Sequence, residues 1–150
     1  GTMSPRSEVM GRTSDGTLAG AATHDLAPIS ENYVVLRFDA SLVFINAAYF
    51  EQAVLKALSQ FPHARALLVL GNSINRIDAT GEEKLRALAR DLKAADVTLM
   101  LAGLKKPVLE ALYRAGLDKV IGPENFFPSK DIAIRALDAR FASAETKPAA

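Results

Sequence analysis

The chain has 150 residues, of which 49% are hydrophobic, 7% aromatic and 23% charged, with a formal net charge of +1. That length suits one domain, and so small a net charge argues against a nucleic-acid binder that works through bulk electrostatics. Cysteine is absent and histidine occurs only as His24 and His63, which excludes disulfide scaffolds, iron–sulfur and zinc-thiolate sites and speaks against a histidine-rich metal centre. The strongest apolar runs, 66–70 and 99–104, fall far short of the ~20 residues that cross a bilayer. The sequence therefore predicts a soluble piece with no membrane insertion of its own, no metal and no cofactor.

Residues 1–32 are rich in Gly, Ser, Thr and Ala and carry two arginines against four carboxylates. With so little apolar surface to offset the entropy of ordering, they read as a flexible leader. Gly1-Thr2-Met3 reads as a cloning scar. Residues 33–141 hold the periodic apolar pattern of the domain, and 142–150 read as a second loose tail.

Within the domain, Tyr33 to Phe38 is β-branched and aromatic and reads as a strand. Leu42-Val43-Phe44-Ile45 reads as a second short strand. Asn46 then offers an N-cap for a helix with Phe50, Val54, Leu58 and Phe61 on its inner face, ended by Pro62. Ala66 to Leu70 is continuously apolar, the mark of a strand buried on both faces. Leu85, Leu88 and Leu92 stripe the next helix, and Val97 to Ala102 form another buried strand. Pro107 opens a short helix and Gly116 closes it. Lys119-Val120-Ile121 reads as a short edge strand. Ser129 caps a last helix bearing Ile132, Ile134, Leu137 and Phe141. The expected order is β-β-α-β-α-β-α-(β)-α, an α/β fold with a mixed, mostly parallel sheet and about four helices.

The most informative stretch is Gly71 to Glu83, which joins the doubly buried strand to the Leu85 helix. Ligands of α/β sheets gather beyond the carboxyl ends of strands, where helix N-termini favour anions. Asp78, Thr80 and Gly81 are the candidate interaction or phosphoacceptor loop, with Ser73 and Arg76 as candidate contacts for an anion or a partner. Thr80 and Glu83 also fit a capping box, which explains the same residues without any ligand. Asp78 fits a turn-former, and Arg76 a solvated loop side chain. Lys105 and Lys106 place two cations at a strand end, where acidic lipid, an acidic partner or water could meet them. Tyr49, Phe50 and Phe61 repeat as core positions, and Phe126 and Phe127 fit either a small partner patch or the anchor of the last helix. No nucleophile elbow, P-loop, dinucleotide fingerprint or zinc-protease motif is present, so no catalytic residue is assigned.

Ile77-Asp78-Ala79-Thr80-Gly81, after an apolar strand and before an amphipathic helix, resembles the signature loop of STAS domains. These occur as bacterial anti-sigma factor antagonists and as cytoplasmic domains of SulP anion transporters. Leu36-Arg37-Phe38-Asp39, the Phe44-Ile45-Asn46-Ala47 entry to the first helix, and Gly122 to Ser129 resemble the transporter branch. That resemblance implies a non-catalytic regulatory domain on the cytoplasmic side of the bacterial inner membrane, joined to the transmembrane part of its own polypeptide. Contacts with a second copy or another regulatory protein, and nucleotide or phosphate sensing at the Asp78–Gly81 loop, come with it, whereas nucleic acid does not. In the antagonist branch the residue before the loop glycine accepts phosphate, which here is Thr80. An acidic residue often closes the preceding strand there, and this chain has Gly71 instead.

Overall fold

The computed structural model describes residues 5–146. Six strands form one sheet in the order β2-β1-β3-β4-β5-β6. They are β1 (Ser7–Arg12), β2 (Leu18–Gly20), β3 (Tyr33–Phe38), β4 (Ala66–Leu70), β5 (Thr98–Ala102) and β6 (Phe126–Phe127). From β3 to β6 all pairings are parallel, whereas β1 runs antiparallel to both β2 and β3. The helices are α1 (Ala21–His24), α2 (Phe44–Ser59), α3 (Ala79–Ala94), α4 (Lys106–Arg114), α5 (Leu117–Ile121) and α6 (Lys130–Thr146).

The alternation of side chains along each strand divides the core into two layers. Val34, Leu36 and Phe38 of β3, Leu67 and Val69 of β4, and Leu99 and Leu101 of β5 pack under α2, α3, α4 and α5. Tyr33, Val35, Ala66, Leu68, Leu70, Met100 and Ala102 face the other way, under Ala133, Ile134, Leu137 and Phe141 of α6. All five residues of β4 are buried, as its unbroken apolar run requires. Ser129 caps α6 as expected, its hydroxyl accepting from the Ile132 N–H at 3.3 Å, and Gly116 lies just past α4 at φ 74°.

Four expectations are corrected. The segment read as a flexible leader contributes the β1–β2 hairpin, which forms the antiparallel part of the sheet. Its first strand is fastened by buried Glu8, whose carboxylate accepts from the Thr23 N–H at 2.7 Å and the Thr23 hydroxyl at 2.8 Å, with Arg37 at 3.7 Å. The run Leu42 to Ile45 is not a strand: Leu42 makes one isolated bridge to Ile77, and α2 already begins at Phe44. Asn46 therefore lies inside the first turn, where its amide donates to the Ser41 carbonyl at 3.0 Å, and Val43 takes the N-cap position. Lys119-Val120-Ile121 belongs to α5, and the edge strand is Phe126–Phe127. At the C-terminal end α6 continues through Thr146, beyond the expected boundary at 141. The suggested scar at 1–3 and residues 147–150 lie outside the described residues.

Candidate functional site: a loop end built around Asp78

Beyond the carboxyl ends of β3 and β4, two loops are laced together. The Leu42 N–H donates to the Arg76 carbonyl at 2.9 Å, and the Asp78 N–H donates back to the Leu42 carbonyl at 3.1 Å. Buried Ile74 plugs the β4–α3 loop from below, in a turn closed by its N–H on the Gly71 carbonyl at 3.1 Å.

Asp78 is the centre of this arrangement. Its backbone is extended (φ −115°, ψ 179°) at the N-cap of α3, and one carboxylate oxygen accepts from the Gly81 N–H at 2.9 Å. The other accepts from the Phe44 N–H at 2.9 Å, the first residue of α2. A single carboxylate thus caps two helices that start 35 residues apart. Hydrogen bonds from the Gly81 and then the Phe44 N–H groups stabilise its charged form, outweigh its partial burial, and hold its carboxyl below the usual aspartate range.

Gly81 is buried for a separate reason. A Cβ at this position would fall within the van der Waals radius of the Leu42 carbonyl oxygen, so the first turn of α3 can press on the β3–α2 loop only without a side chain. The Asp-x-x-Gly pattern is therefore a packing device as well as a cap.

The expected capping box on Thr80 is corrected accordingly. Asp78 takes the N-cap and Thr80 lies in the first turn of α3 with its side chain exposed. Arg76 joins the knot through its carbonyl, while its side chain is exposed. Ser73 is exposed in the turn after β4, whereas the Asp78 network runs through Leu42, Phe44 and Gly81. Sequence reasoning missed Phe44 and Ile45, which project from the same end at 77% and 82% exposure. The available signal was α2 itself, whose residues are apolar around most of its circumference. Lys105 reaches Asn75 across the loop end.

The other candidates settle into structural roles. Tyr49 and Phe50 pack on Phe38 with ring centroids 5.4 and 4.9 Å away, and the Tyr49 hydroxyl donates to Ser7 Oγ at 2.7 Å. Phe126 packs on Tyr113 at 5.6 Å. Among the described residues, no cluster of three His, Asp or Glu is placed to hold a metal ion, and no helix is long and apolar enough to cross a membrane.

A mostly parallel sheet covered by helices on both faces, with a capped Asp-x-x-Gly loop at its carboxyl edge, defines a small α/β module. The family model for the STAS domain matches residues 26–133, and the chain belongs to that family. It is 30% identical over 125 residues to Arabidopsis thaliana probable sulfate transporter 3.5, covering 81% of this chain and 19% of that protein. It is 31% identical over 108 residues to a probable sulfate transporter of Mycobacterium tuberculosis, covering 71% and 19%. The chain thus spans about a fifth of the length of these relatives.

Among solved structures, the murine Slc26a9 anion transporter superposes with a TM-score of 0.77 at 16% identity, over 89% of this chain and 22% of that one. The STAS domain of a SulP transporter from Vibrio cholerae gives 0.64 at 20%, over 81% and 93%. The phosphorylated Bacillus cell-fate determinant SpoIIAA gives 0.55 at 15%, over 74% and 96%. At these identities the structural likenesses establish the fold alone.

Proposed function

We propose that this chain is the non-catalytic regulatory and interaction domain of a SulP-type transporter of sulfate or a related anion. It sits on the cytoplasmic side of a bacterial inner membrane, with the transmembrane part of its own polypeptide as first partner. The observation that carries this reading is the match, at 30% identity over 81% of the chain, to about one fifth of a probable sulfate transporter. The geometry agrees with a contact role. The two oxygens of Asp78 hold backbone N–H groups, and the exposed groups of the loop end include Phe44, Ile45, Ser73, Arg76, Thr80 and Lys105.

The test is expression of the whole reading frame that encodes this chain in a bacterium lacking sulfate uptake. Hydrophobic spans upstream of Met3, with uptake of labelled sulfate or an anion that competes with it, support the reading. A frame without such spans overturns it.

One observation favours a second reading, a free-standing anti-sigma factor antagonist switched by phosphate on Thr80. Thr80 is exposed immediately before Gly81, and the fold matches SpoIIAA. Intact-mass measurement after incubation with cell extract and ATP should then show one phosphate, lost in Thr80→Ala. A phosphate bound without covalent attachment is disfavoured at the same place, because Asp78 occupies the Gly81 and Phe44 donors.

A further inference from the structure

Phe44 and Ile45 are the two most exposed large hydrophobic side chains among the described residues, and they are neighbours. Nothing in the fold demands this, since the buried face of α2 is already supplied by Ala47, Phe50, Ala53, Val54 and Ala57. Their position is fixed, because the Asp78 carboxylate holds the Phe44 N–H and pins the first turn of α2 to the β4–α3 loop. That loop brings Arg76 alongside through the Leu42–Arg76 backbone bond, and Asn75 brings Lys105. Both cations are exposed, and neither is ion-paired among the described residues, whereas Lys106 lies 3.9 Å from Glu110. Of the carboxylates at this end, Asp78 is engaged by backbone N–H groups, Asp39 by Arg37 at 2.6 Å and Glu83 by Arg86 at 3.3 Å, while Glu82 in the first turn of α3 sets one negative charge against the two cations. An aromatic–aliphatic pair standing out beside unpaired cations matches the interfacial layer of an anionic bilayer: acyl chains for the ring and the branched chain, headgroup phosphates for Arg76 and Lys105.

The course of the chain fits the same orientation. Strand β1 is antiparallel to β3 and pairs Ser7 with Phe38, so it starts at the carboxyl end of the parallel strands. The Arg6 carbonyl accepts from the Asp39 N–H at 2.7 Å, and Ser7 meets Tyr49 of α2. Residues 5–7 therefore enter the fold at the end that carries Phe44 and Ile45.

We infer that this loop end is a peripheral membrane-contact surface, with Phe44 and Ile45 inserted at the interface of an anionic lipid leaflet and Arg76 and Lys105 on its headgroups. It is a contact and not a span. The patch stands on the loop geometry, and its biological setting rests on the transporter reading above.

The test uses the purified 150-residue chain with vesicles of phosphatidylglycerol and phosphatidylcholine mixed one to two, against phosphatidylcholine alone. Co-sedimentation is expected with the anionic vesicles and is expected to fall with added salt. Phe44→Ser with Ile45→Ser, or Arg76→Glu with Lys105→Glu, should each lower it at least about tenfold. Ile132→Ser, equally a loss of an exposed apolar side chain, should leave it unchanged. Because the chain has no cysteine, Ile45→Cys and Ile132→Cys each accept a single polarity-sensitive dye. A blue shift on anionic vesicles is expected only at position 45, a readout that does not depend on the serine variants folding. Absence of sedimentation, equal binding by the Phe44/Ile45 variant, or a dye at 45 that stays in water overturns the inference. Capture of a second copy or of a soluble protein by this patch, in place of vesicles, also overturns it. Vesicle binding by a chain whose full reading frame moves no anion would remove the transporter reading and leave the lipid contact standing.

Discussion

Asp78 and Thr80 are two residues apart and differ sharply in what they hold. Asp78→Ala strips the cap from both α2 and α3, so it should lower the unfolding midpoint by several degrees and cut the cooperativity of the transition at the loop end. Thr80→Ala removes only an exposed side chain and should change stability by no more than about 0.5 kcal/mol. Urea titrations of the two variants check this; equal losses would contradict the capping role of Asp78, and a larger loss in Thr80→Ala would move the cap to Thr80. Gly81→Ala forces a methyl group against the Leu42 carbonyl and should cost about 3 kcal/mol, more than any Ala-for-Gly gain within a helix returns.

The acid limb of stability follows from three carboxylates. Asp78 is held low by the Gly81 and Phe44 N–H groups. For Glu8, burial raises the pKa, but the Thr23 N–H and hydroxyl, with Arg37, bring it below 4.5 overall. Asp15 is brought to about 2 by the hydroxyls of Thr13 and Thr17. Each is lowered relative to the unfolded chain, so each contributes fully above its unfolded value (4.5 for Glu, 3.8 for Asp) and loses that contribution as pH falls through its folded one. Thermal midpoints should be flat near neutrality and decline from about pH 4.5 downward. Asp78→Asn should flatten part of that decline, and an unaltered acid limb would contradict the capping role.

At the scale of elements, the sequence displayed what depends on local pattern and concealed what depends on distant partners. Ala66 to Leu70 and the Leu85, Leu88, Leu92 stripe announce themselves because burial on two faces or on one leaves a direct periodicity. Phe44 and Ile45 belong to β-favouring residue types in a short apolar run, and only the Asp78 carboxylate, far along the chain, makes them the first turn of a helix. The β1–β2 hairpin was illegible for a related reason. Ser7 to Arg12 shows only Val9 and Met10 as large apolar residues, and its stability comes from pairing with β3 and from the Glu8 bonds to Thr23. Within the candidate loop, Asp78 and Gly81 were visible as a motif, but their mechanical roles needed the Leu42 carbonyl and the Phe44 N–H. The hairpin also has a consequence for truncation. A fragment of 33–141 loses β1 and leaves β3 an open edge, so it should aggregate or elute at a larger apparent size per chain in gel filtration than the 150-residue chain.

At the scale of the whole molecule, the central strand divides structure from surface. Leu68→Asp places an unpaired charge in a fully buried position of β4 and should unfold the domain, a loss beyond about 4 kcal/mol readable by circular dichroism. Native-like mutant protein would contradict the two-layer core. The loop end offers the opposite case: Phe44 and Ile45 can change without touching that core, so an effect of changing them reports on contacts made by the domain. The most direct measurement is therefore labelled-sulfate uptake by cells expressing the full reading frame with Phe44→Asp and Ile45→Asp. A contact role for this end predicts unchanged protein levels in the membrane with a several-fold fall in uptake; wild-type uptake at wild-type levels would contradict it.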